Sequence, residues 1–408
     1  MPADTISNFQ LMAKPGGSLC NIACDYCFYL EKGNLYPARK QAWRMDGATL
    51  KNYIQKTIAA QQASVVDFLW QGGEPTLVGL DFYQQVVKLQ ADYRGTKTIN
   101  NYFQTNGINI DDKWAAFFKQ HGFLVGVSLD GNQLHHDRYR KTNAGKSCFE
   151  AVITGIQALK RHEVAWNTLT VVSAENVNYP VEIYHFLKRI GSRYMQFIPL
   201  AERVAAQPDK NGLTLVHPEF IGSCRVAAWS VNPAAWGNFL NKIFDSWLLN
   251  DLGSVFVMNF EQLLSKMVGQ NSACTLGESC GGNLIVEANG DVYSCDHFVF
   301  PEHLLGNINH GDLRSLVNSA KNLAFARRKQ VTAESCCHRC EFLSLCHGGC
   351  PKYRFMPDRS GLPRHNYFCE SVKIQLRHIL PKCDSLLRML AQQHSYKKIR
   401  KEIRNKHY

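Results

Sequence analysis

Apolar, strand-like runs alternate with amphipathic helical patterns over the first half of the chain. In one helical pattern, apolar positions recur at i, i+3, i+4, i+7 and i+8 from Leu50 to Ile58, behind Asp46 as a capping residue. A second such pattern begins at Phe149. Six runs have the composition of β-strands, namely Phe9–Lys14, Val65–Trp70, Thr98–Gln104, Leu124–Leu129, Asn167–Val172 and Tyr194–Pro199.

Strands that alternate with helices predict an α/β fold with a parallel sheet and right-handed crossovers. The alternation fits an open doubly wound sheet and a curved, incomplete barrel equally well. In both arrangements, the chemistry belongs at the C-terminal ends of the strands. The residues that directly follow the predicted strands are therefore the first candidates for a functional site.

The pattern changes in the second half of the chain. A polar stretch and an aromatic-rich helix around Trp236 and Trp247 read as a connector, and beyond Cys274 the periodicity weakens while cysteines become frequent. These changes predict four segments: an α/β domain over residues 1–200, a helical connector over 201–265, a cysteine-rich domain over 266–383 and a basic helical tail over 384–408. The cysteine-rich domain is expected to be held together partly by metal.

The composition is that of an ordinary globular protein: 45% of the 408 residues are apolar and 20% are charged. No apolar run approaches the length of a membrane span, and the first residues lack the pattern of a signal peptide, so a cytoplasmic protein is expected. In a reducing compartment the fifteen cysteines favour metal or catalytic roles over disulfides. Three of them lie between Cys20 and Cys27, and ten between Cys274 and Cys383.

A net charge of +12 raises the question of a nucleic-acid partner. Part of the excess lies in Lys397–Tyr408, which reads as a solvated basic helix. The chain has no zinc-finger spacing and no aromatic RNA-binding signature, so no nucleic-acid partner is predicted.

The first cysteine group is CNIACDYCFY, with Cys20, Cys24 and Cys27 in C-x3-C-x2-C spacing directly after the first predicted strand. A [4Fe–4S] cube normally takes four thiolates, so three leave one iron open to a small chelating molecule. The amine and carboxylate of S-adenosylmethionine (AdoMet) are such a chelating pair. The alternative for this spacing is a zinc site, which requires a fourth ligand nearby.

Aromatic and glycine residues accompany this group. Tyr26, Phe28 and Tyr29 interleave the cysteines and are expected to shield a cluster. Gln71-Gly72-Gly73-Glu74-Pro75 follows the second predicted strand, and its two glycines permit close approach of the backbone to a ligand. A glycine turn alone is common, but its pairing with a cysteine loop after the preceding strand is specific.

The second cysteine group lies in the C-terminal part of the chain. Its eight ligand-spaced members suit two fully ligated cubane clusters, and one or two structural zinc sites are the alternative. The eight are Cys274, Cys280, Cys295, Cys337, Cys340, Cys346, Cys350 and Cys369. The remaining cysteines Cys148, Cys224 and Cys383 are expected to be buried apolar thiols.

The cysteine loop followed by GGEP resembles the radical AdoMet enzymes, whose fold is a partial (β/α)6 barrel. The resemblance implies a barrel for this chain, with the first three cysteines holding a [4Fe–4S] cluster and AdoMet as cosubstrate. It also implies cofactor contacts along the barrel mouth, from Tyr26, Tyr29, Gln71, Gly72, Gly73, Glu74, Ser128 and Arg140. Of these, Ser128 would contact the ribose or the carboxylate of AdoMet, and Arg140 is a second candidate for the carboxylate.

The C-terminal cysteines resemble the SPASM extension of that superfamily, and within it the anaerobic sulfatase-maturating enzymes. The resemblance covers nearly the whole chain, with CDYCFYLEK, WQGGEPTL, QTNG, VSLDG and YSCDHF as its most specific blocks. It implies two auxiliary [4Fe–4S] clusters, three clusters in total, with a crossed pairing of ligands. One would be held by Cys274, Cys280, Cys295 and Cys350, and the other by Cys337, Cys340, Cys346 and Cys369.

Two further residues stand out in this part of the chain. Cys336 departs from the pattern, because it adjoins Cys337 and is able to take over its role. Asp296 follows Cys295, and by the resemblance it is the general base, although an aspartate after a turn is usually only solvated. His297 is expected to be structural or to support a ligand.

The implied reaction is oxidation of a Ser or Cys side chain in an unfolded sulfatase segment to Cα-formylglycine. The expected partners are a polypeptide with a Ser/Cys-x-Pro-x-Arg motif and a flavodoxin- or ferredoxin-like reductant. Two alternatives share features of this sequence. One is a related SPASM peptide maturase that forms thioether or carbon–carbon crosslinks, and the other is a non-catalytic zinc or electron-transfer protein.

Overall fold

The computed structural model describes residues 5–36, 43–270, 273–330, 336–358 and 360–405. The strands are β1 Gln10–Lys14, β2 Ile22–Cys24, β3 Val65–Trp70, β4 Thr98–Thr105, β5 Leu124–Ser128, β6 Arg140–Thr142, β7 Ala165–Val172, β8 Tyr194–Pro199, β9 Arg203–Ala205, β10 Cys224–Val226, β11 Phe256–Val257, β12 Asn283–Glu287, β13 Asp291–Tyr293, β14 Leu304–Asn307, β15 Met356–Pro357 and β16 Pro363–His365. The α-helices are α1 Gly47–Ala60, α2 Leu80–Tyr93, α3 Asp112–Gln120, α4 Gln133–Tyr139, α5 Phe149–Arg161, α6 Pro180–Arg189, α7 Pro233–Asn250, α8 Met258–Met267, α9 Leu313–Val317, α10 Ala320–Arg327, α11 Leu343–Cys346, α12 Cys369–Ala391 and α13 Tyr396–Asn405.

All six predicted strands are present, as β1, β3, β4, β5, β7 and β8, and each bound lies within two residues of its prediction. They neighbour one another in a mostly parallel sheet of order β11-β8-β7-β5-β4-β3-β1-β12-β13-β14. Helices connect successive strands, as right-handed crossovers require. The predicted α/β fold class is confirmed, and the C-terminal strand ends meet along one edge.

The predicted helices begin where the sequence indicates. The Asp46 carboxylate caps α1 by accepting a hydrogen bond from the Thr49 amide at 2.7 Å. The apolar face of α1, including Leu50 and Ile54, is buried against the sheet. The Tyr53 hydroxyl on the same face donates to the Leu11 carbonyl at 2.8 Å, which ties α1 to β1.

The sheet continues beyond the six predicted strands. Strand β12, from the predicted cysteine-rich segment, pairs in parallel with β1, and Lys14 lies opposite Glu287 in this register. Strands β13 and β14 extend the sheet further in antiparallel order. Strand β13 ends at Tyr293, and the segment that follows it lies next to the end of β1, because Asp296 is ion-paired with Lys14.

The division of the chain into four segments stays a prediction, and two observations bear on it. The β1–β12 pairing crosses the boundaries at 200 and 265, so the sheet includes strands from two predicted segments. The boundary at 383 falls inside α12. In the connector, α7 carries the expected aromatic residues, and Trp236 and Trp247 are buried.

The basic tail is helical as predicted, but it is not simply solvated. Ile399 and Ile403 of α13 are fully buried, and α13 packs against α7. The Arg404 guanidinium donates to the Leu249 carbonyl at 2.8 Å. The amphipathic spacing of the two isoleucines explains this packing. Residues 406–408 of the predicted tail, and residues 1–4 used in the signal-peptide prediction, lie outside the described residues.

Within the described part of the chain, no helix combines the length and apolarity that crossing a membrane would need.

Candidate cluster and cofactor site

The loop that carries the first three cysteines is pinned to the sheet edge by a short strand pair. Strand β2, which ends at Cys24, pairs antiparallel with β6, and Cys24 lies opposite Arg140 in the register. The Arg140 guanidinium approaches the Cys24 sulfur to 4.0 Å. The Cys27 amide donates to the Cys24 carbonyl at 3.0 Å, which closes a tight turn between these two cysteines.

The glycine loop after β3 packs directly on the segment that leads into Cys20. The Gly73 amide donates to the Gly17 carbonyl, and the Glu74 amide to the Leu19 carbonyl, both at 2.8 Å. A Cβ atom at Gly73 would lie 2.1 Å from the Leu19 oxygen, far inside any allowed contact. The glycine is therefore required by the approach of the two loops, whereas the sequence suggested an approach to the ligand.

The Glu74 side chain holds this loop rather than facing the cavity. Its carboxylate accepts hydrogen bonds from the Thr76 amide and hydroxyl, the Thr105 hydroxyl at 2.8 Å and the Asn106 amide at 2.7 Å. Burial raises the pKa of Glu74, and the four donors act in the opposite direction. The sequence predicted Glu74 as a cofactor contact, and the structure places it as the brace that joins the ends of β3 and β4.

A cavity of about 220 Å³ opens at this edge of the sheet. It collects most of the residues that the sequence predicted for cofactor binding. Those that line it are Cys20, Cys24, Cys27, Tyr26, Gln71, Gly72, Gly73, Ser128 and Arg140. Among the described lining residues, Tyr29, Glu74 and Asp296 do not appear.

Arg140 and Tyr26 are organised by one buried carboxylate. The Arg140 Nε donates to Asp130 Oδ2 at 2.7 Å, and the Tyr26 hydroxyl donates to the same oxygen at 2.6 Å. Asp130 also accepts from the Val171 amide at 2.9 Å. Two of the three guanidinium nitrogens of Arg140 therefore bind Asp130. The third lies near Cys24, and Arg140 lines the cavity in which it was predicted to contact the AdoMet carboxylate.

The three thiols lie in an environment that opposes free thiolates. Burial raises the pKa of Cys20 to about 11 and that of Cys24 to about 12, and it also raises the pKa of Cys27. Neighbouring thiols add to the shift, since Cys27 and Cys20 both raise the pKa of Cys24. A soft cation is the partner that would stabilise three thiolates together here, as iron–sulfur chemistry requires.

One polar atom in the cavity points to a bound group. Gln71 Oε1 is buried and has no hydrogen-bond partner among the described residues. A buried acceptor without a partner costs about 1–3 kcal/mol. AdoMet carries an amine and ribose hydroxyls that donate hydrogen bonds, so the residues present fit a donor-bearing ligand beside a three-thiolate cluster.

The opposite wall contains an ion pair that the sequence did not indicate. The Lys352 ammonium donates to Glu202 Oε1 at 2.5 Å, both side chains are buried, and both line the cavity. Burial alone would lower the pKa of Lys352, but Glu202 raises it above its ordinary value. Glu202 follows the end of β8, so it could have been predicted from the rule that functional residues lie after the C-terminal ends of the strands.

Asp296 lies at the same edge, ion-paired with Lys14, the last residue of β1. The Lys14 side chain is 1% exposed and the Asp296 side chain 22% exposed. Burial would raise the pKa of Asp296, but Lys14 and His297 hold it below its usual value. The Lys14 ammonium also lies 3.4 Å from the Tyr29 ring centre, and the Tyr29 hydroxyl donates to Glu287 at 2.5 Å.

The sequence analysis did not single out Lys14 or Glu287, although each is the last residue of a strand.

His297, next to Asp296, lines the cofactor cavity. Its Nδ1 is buried without a partner among the described residues, and burial lowers its pKa to about 3. A neutral imidazole therefore adjoins the carboxylate at this edge.

The C-terminal thiols fall into two groups. Burial raises the pKa of Cys280 to about 12 and also raises that of Cys295, and Cys350 and Cys274 raise both. In the second group, burial raises the pKa of Cys346 and Cys369, and Cys337 raises both. A cavity of about 200 Å³ is lined by Cys337, Cys340, Cys346, Cys350 and Cys369.

The adjacent cysteines 336 and 337 lie together with His365, with their ligand atoms within 4.8 Å of one another, but they differ in their other contacts. Cys337 lines the 200 Å³ cavity with the other thiols, while Cys336 Sγ lies 3.1 Å from His365 Nδ1. Of the remaining cysteines, Cys148 and Cys383 are buried as predicted, and Cys224 is half-buried.

Replacing Gly73 by alanine is expected to reduce reductive AdoMet cleavage by roughly 100-fold, because a displacement of about 1 Å in a positioned site has that effect. The added Cβ would force the glycine loop away from Leu19 and shift Cys20 with it. The measurement is 5′-deoxyadenosine formed per hour under anaerobic conditions. Gly311→Ala is the matched control, since its Cβ would meet no atom within 3.7 Å. Equal rates in both variants would contradict the loop–loop argument.

Known proteins match both parts of the site. Residues 16–187 match the radical SAM superfamily, and residues 274–341 match the SPASM iron–sulfur cluster-binding domain. The chain is 40% identical to a serine-type anaerobic sulfatase-maturating enzyme of Bacteroides thetaiotaomicron, over 99% of this chain and 98% of that protein. It is 34% identical to a cysteine-type enzyme of Clostridium novyi, over 90% and 94% of the two chains.

Solved structures of known proteins also resemble this fold. Native anSMEcpe with bound AdoMet and Cp18Cys peptide superimposes with a TM-score of 0.81 at 29% identity, over 93% of this chain and 99% of that one. Streptococcus suis SuiB bound to precursor peptide SuiA gives 0.60 at 14% identity, over 90% and 77%, which shows the fold alone.

Fold and site together define a radical AdoMet protein with an iron–sulfur cluster-binding extension, which implies AdoMet and iron–sulfur clusters as cofactors. Within this class, the chain belongs to the family of anaerobic sulfatase-maturating enzymes.

Proposed function

We propose that this enzyme oxidises a Ser or Cys side chain of a sulfatase to Cα-formylglycine without oxygen. Its near-full-length relationship to sulfatase-maturating enzymes supports the substrate class. The observation that carries the chemistry is the carboxylate of Asp296, held ionised by Lys14 at the edge of the sheet where the cofactor cavity opens. A base at this position suits removal of the hydroxyl or thiol proton of a target side chain.

The proposed cluster ligands follow from the thiol groupings. Cys20, Cys24 and Cys27 would hold the cluster with one open iron. Cys274, Cys280, Cys295 and Cys350 would hold the first auxiliary cluster, and Cys337, Cys340, Cys346 and Cys369 the second. The cavity that Cys337 lines supports Cys337 over Cys336 as the ligand.

With a cluster held by Cys20, Cys24 and Cys27, AdoMet would supply a radical able to take one hydrogen atom from the target Cβ, and a cluster held by the C-terminal cysteines would take up the electron that remains. Residues of the chain bind the cofactor and accept the proton of the target. Gln71 Oε1 offers an acceptor to the cofactor, and Ser128 lines the same cavity. The buried Glu202–Lys352 pair closes the wall between cofactor and auxiliary cysteines. Asp296 accepts the target's proton, and Lys14 holds the carboxylate in place until it does.

The proposed partners are an unfolded sulfatase segment with a Ser/Cys-x-Pro-x-Arg motif and a flavodoxin- or ferredoxin-like reductant. We further propose a cytoplasmic location, which reduced thiols require. No nucleic-acid partner is proposed. The packing of Ile399 and Ile403 against α7 gives the basic tail a structural role.

Anaerobic incubation of the iron-loaded enzyme with AdoMet, dithionite and a Ser- or Cys-x-Pro-x-Arg peptide tests this function by mass spectrometry. We expect the Ser peptide to lose two hydrogens and the Cys peptide to be converted to the same aldehyde. Both products should react with a hydrazine. Loss of two hydrogens without hydrazine reactivity would indicate a crosslink and would replace the proposal by the peptide-maturase alternative.

Three cubane clusters predict about twelve irons and as many sulfides per chain. The Cys337→Ala variant is expected to lose about four irons, because it removes a ligand of one cluster only. Cys336→Ala is the matched control and should retain the wild-type iron content. Stoichiometric zinc with only traces of iron after anaerobic reconstitution would contradict the cluster assignment, and loss of iron from Cys336→Ala alone would exchange the roles of the two neighbours.

A further inference from the structure

A second cavity, of about 560 Å³, is lined in part by Arg203 and Pro351, the sequence neighbours of Glu202 and Lys352. We call it the arginine cavity, because its lining contains Arg203, Arg327, Arg328, Arg354 and Arg364. Two carboxylates, Glu219 and Asp358, also line it, so the described lining residues carry an excess of three positive charges. Such a one-sided charge distribution attracts an acidic partner over a distance of several ångströms.

The arginines have two different roles. Arg203 and Arg354 form the floor, where both guanidiniums donate to backbone carbonyls, such as Arg203 to Pro218 at 2.7 Å and Arg354 to His347 at 2.8 Å. Arg327, Arg328 and Arg364 are exposed at the rim, and Arg328 is ion-paired with Glu219. The floor is therefore a fixed structural element, and the rim presents the charge to solvent.

The arginine cavity reaches the proposed auxiliary cluster directly, since Cys337 lines it. Glu202 and Lys352 line the cofactor cavity, while their sequence neighbours Arg203 and Pro351 line the arginine cavity. The same two segments of the chain therefore border both cavities.

We propose that an acidic one-electron carrier protein, of the flavodoxin or ferredoxin class, docks over the arginine cavity. The proposal rests on the proposed function and adds the location of the reductant. In each electron transfer the reduced carrier loses one electron and the iron-loaded enzyme gains one, with no bond made or broken. The target motif carries its own Arg, so a basic rim does not complement it, whereas an acidic carrier does. Redox encounters typically use small, charged interfaces of this kind.

The test is the dissociation constant of an acidic flavodoxin for the iron-loaded enzyme, measured anaerobically at ionic strengths of about 10 mM and about 150 mM. Arg327→Glu/Arg364→Glu should raise this constant at least roughly 10-fold at low salt, because like charges now face each other. The double substitution should also reduce the change in this dissociation constant between the two ionic strengths. Lys397→Glu/Lys398→Glu on α13 is the matched control, with the same change in net charge on another exposed surface.

Dithionite-driven aldehyde formation separates this proposal from the proposed function, since a small reductant needs no docking surface. We expect the rim variant to keep the wild-type rate with dithionite and to lose rate only with flavodoxin. A rim variant that binds flavodoxin as the wild type or the tail variant does would overturn the proposal. A raised KM for the target peptide in the dithionite assay would overturn it too, because the rim would then serve the substrate polypeptide.

Discussion

Replacing Cys24 by alanine is expected to abolish 5′-deoxyadenosine formation while leaving about eight of twelve irons in place. Cys24 pairs with Arg140 across β2 and β6, lines the cofactor cavity and lies among thiols that raise one another's pKa. Its loss leaves two thiolates, too few to retain a cube. Seven of the eight proposed auxiliary ligands, all but Cys295, line other cavities, so both auxiliary clusters should keep their cysteine ligands.

Iron, sulfide and 5′-deoxyadenosine are measured on the same anaerobic preparation. Cys383→Ala is the control, since Cys383 is a buried thiol inside α12 with no predicted ligand role. Near wild-type AdoMet cleavage by the Cys24→Ala enzyme would refute the assignment of the first three cysteines, whatever the iron content.

The Asp296→Asn variant is expected to lose product formation by about 10²–10⁴-fold while it still cleaves AdoMet. Asparagine has nearly the shape of aspartate but cannot accept the proton of the target hydroxyl or thiol. Formation of 5′-deoxyadenosine should therefore become uncoupled from aldehyde formation. The measurement compares both products in one time course with a Ser-containing target peptide.

Two controls make this result interpretable. Asp296 adjoins the proposed ligand Cys295, so the iron content must equal that of the wild type before rates are compared. The substitution also leaves the buried Lys14 ammonium uncompensated, which is costly. The Lys14→Met/Asp296→Asn double variant removes that charge and should show the same uncoupling. A fully loaded Asp296→Asn enzyme that forms aldehyde at the wild-type rate would place the base elsewhere.

The buried polar groups show where sequence patterns stop being informative. Glu74 was predicted to contact the cofactor from its place in a glycine loop, yet its carboxylate braces Thr76, Thr105 and Asn106. Arg140 was predicted to contact the AdoMet carboxylate, which stays a prediction: its Nε is bonded to Asp130, and the residue lines the cofactor cavity. The hydrogen bonds of both residues depend on donors and acceptors from other parts of the fold, which a local pattern does not reveal.

The sequence by itself determined the sheet and the cysteine loops. Strand and helix periodicities are local, so six strands and their order along the chain could be read directly. Cysteine spacing is also local, and three thiols within eight residues must lie together wherever the loop goes.

Only the tertiary structure decided which distant residues meet. Lys14 and Asp296 are separated by 282 positions and Glu202 and Lys352 by 150, and no periodicity links them. The β1–β12 pairing brings the first pair together. Cys274 and Cys350 likewise both raise the pKa of Cys280 and that of Cys295, although Cys350 is distant from these residues in sequence. Such contacts arise from strand pairing and burial, whose energies depend on the whole fold and not on neighbours along the chain.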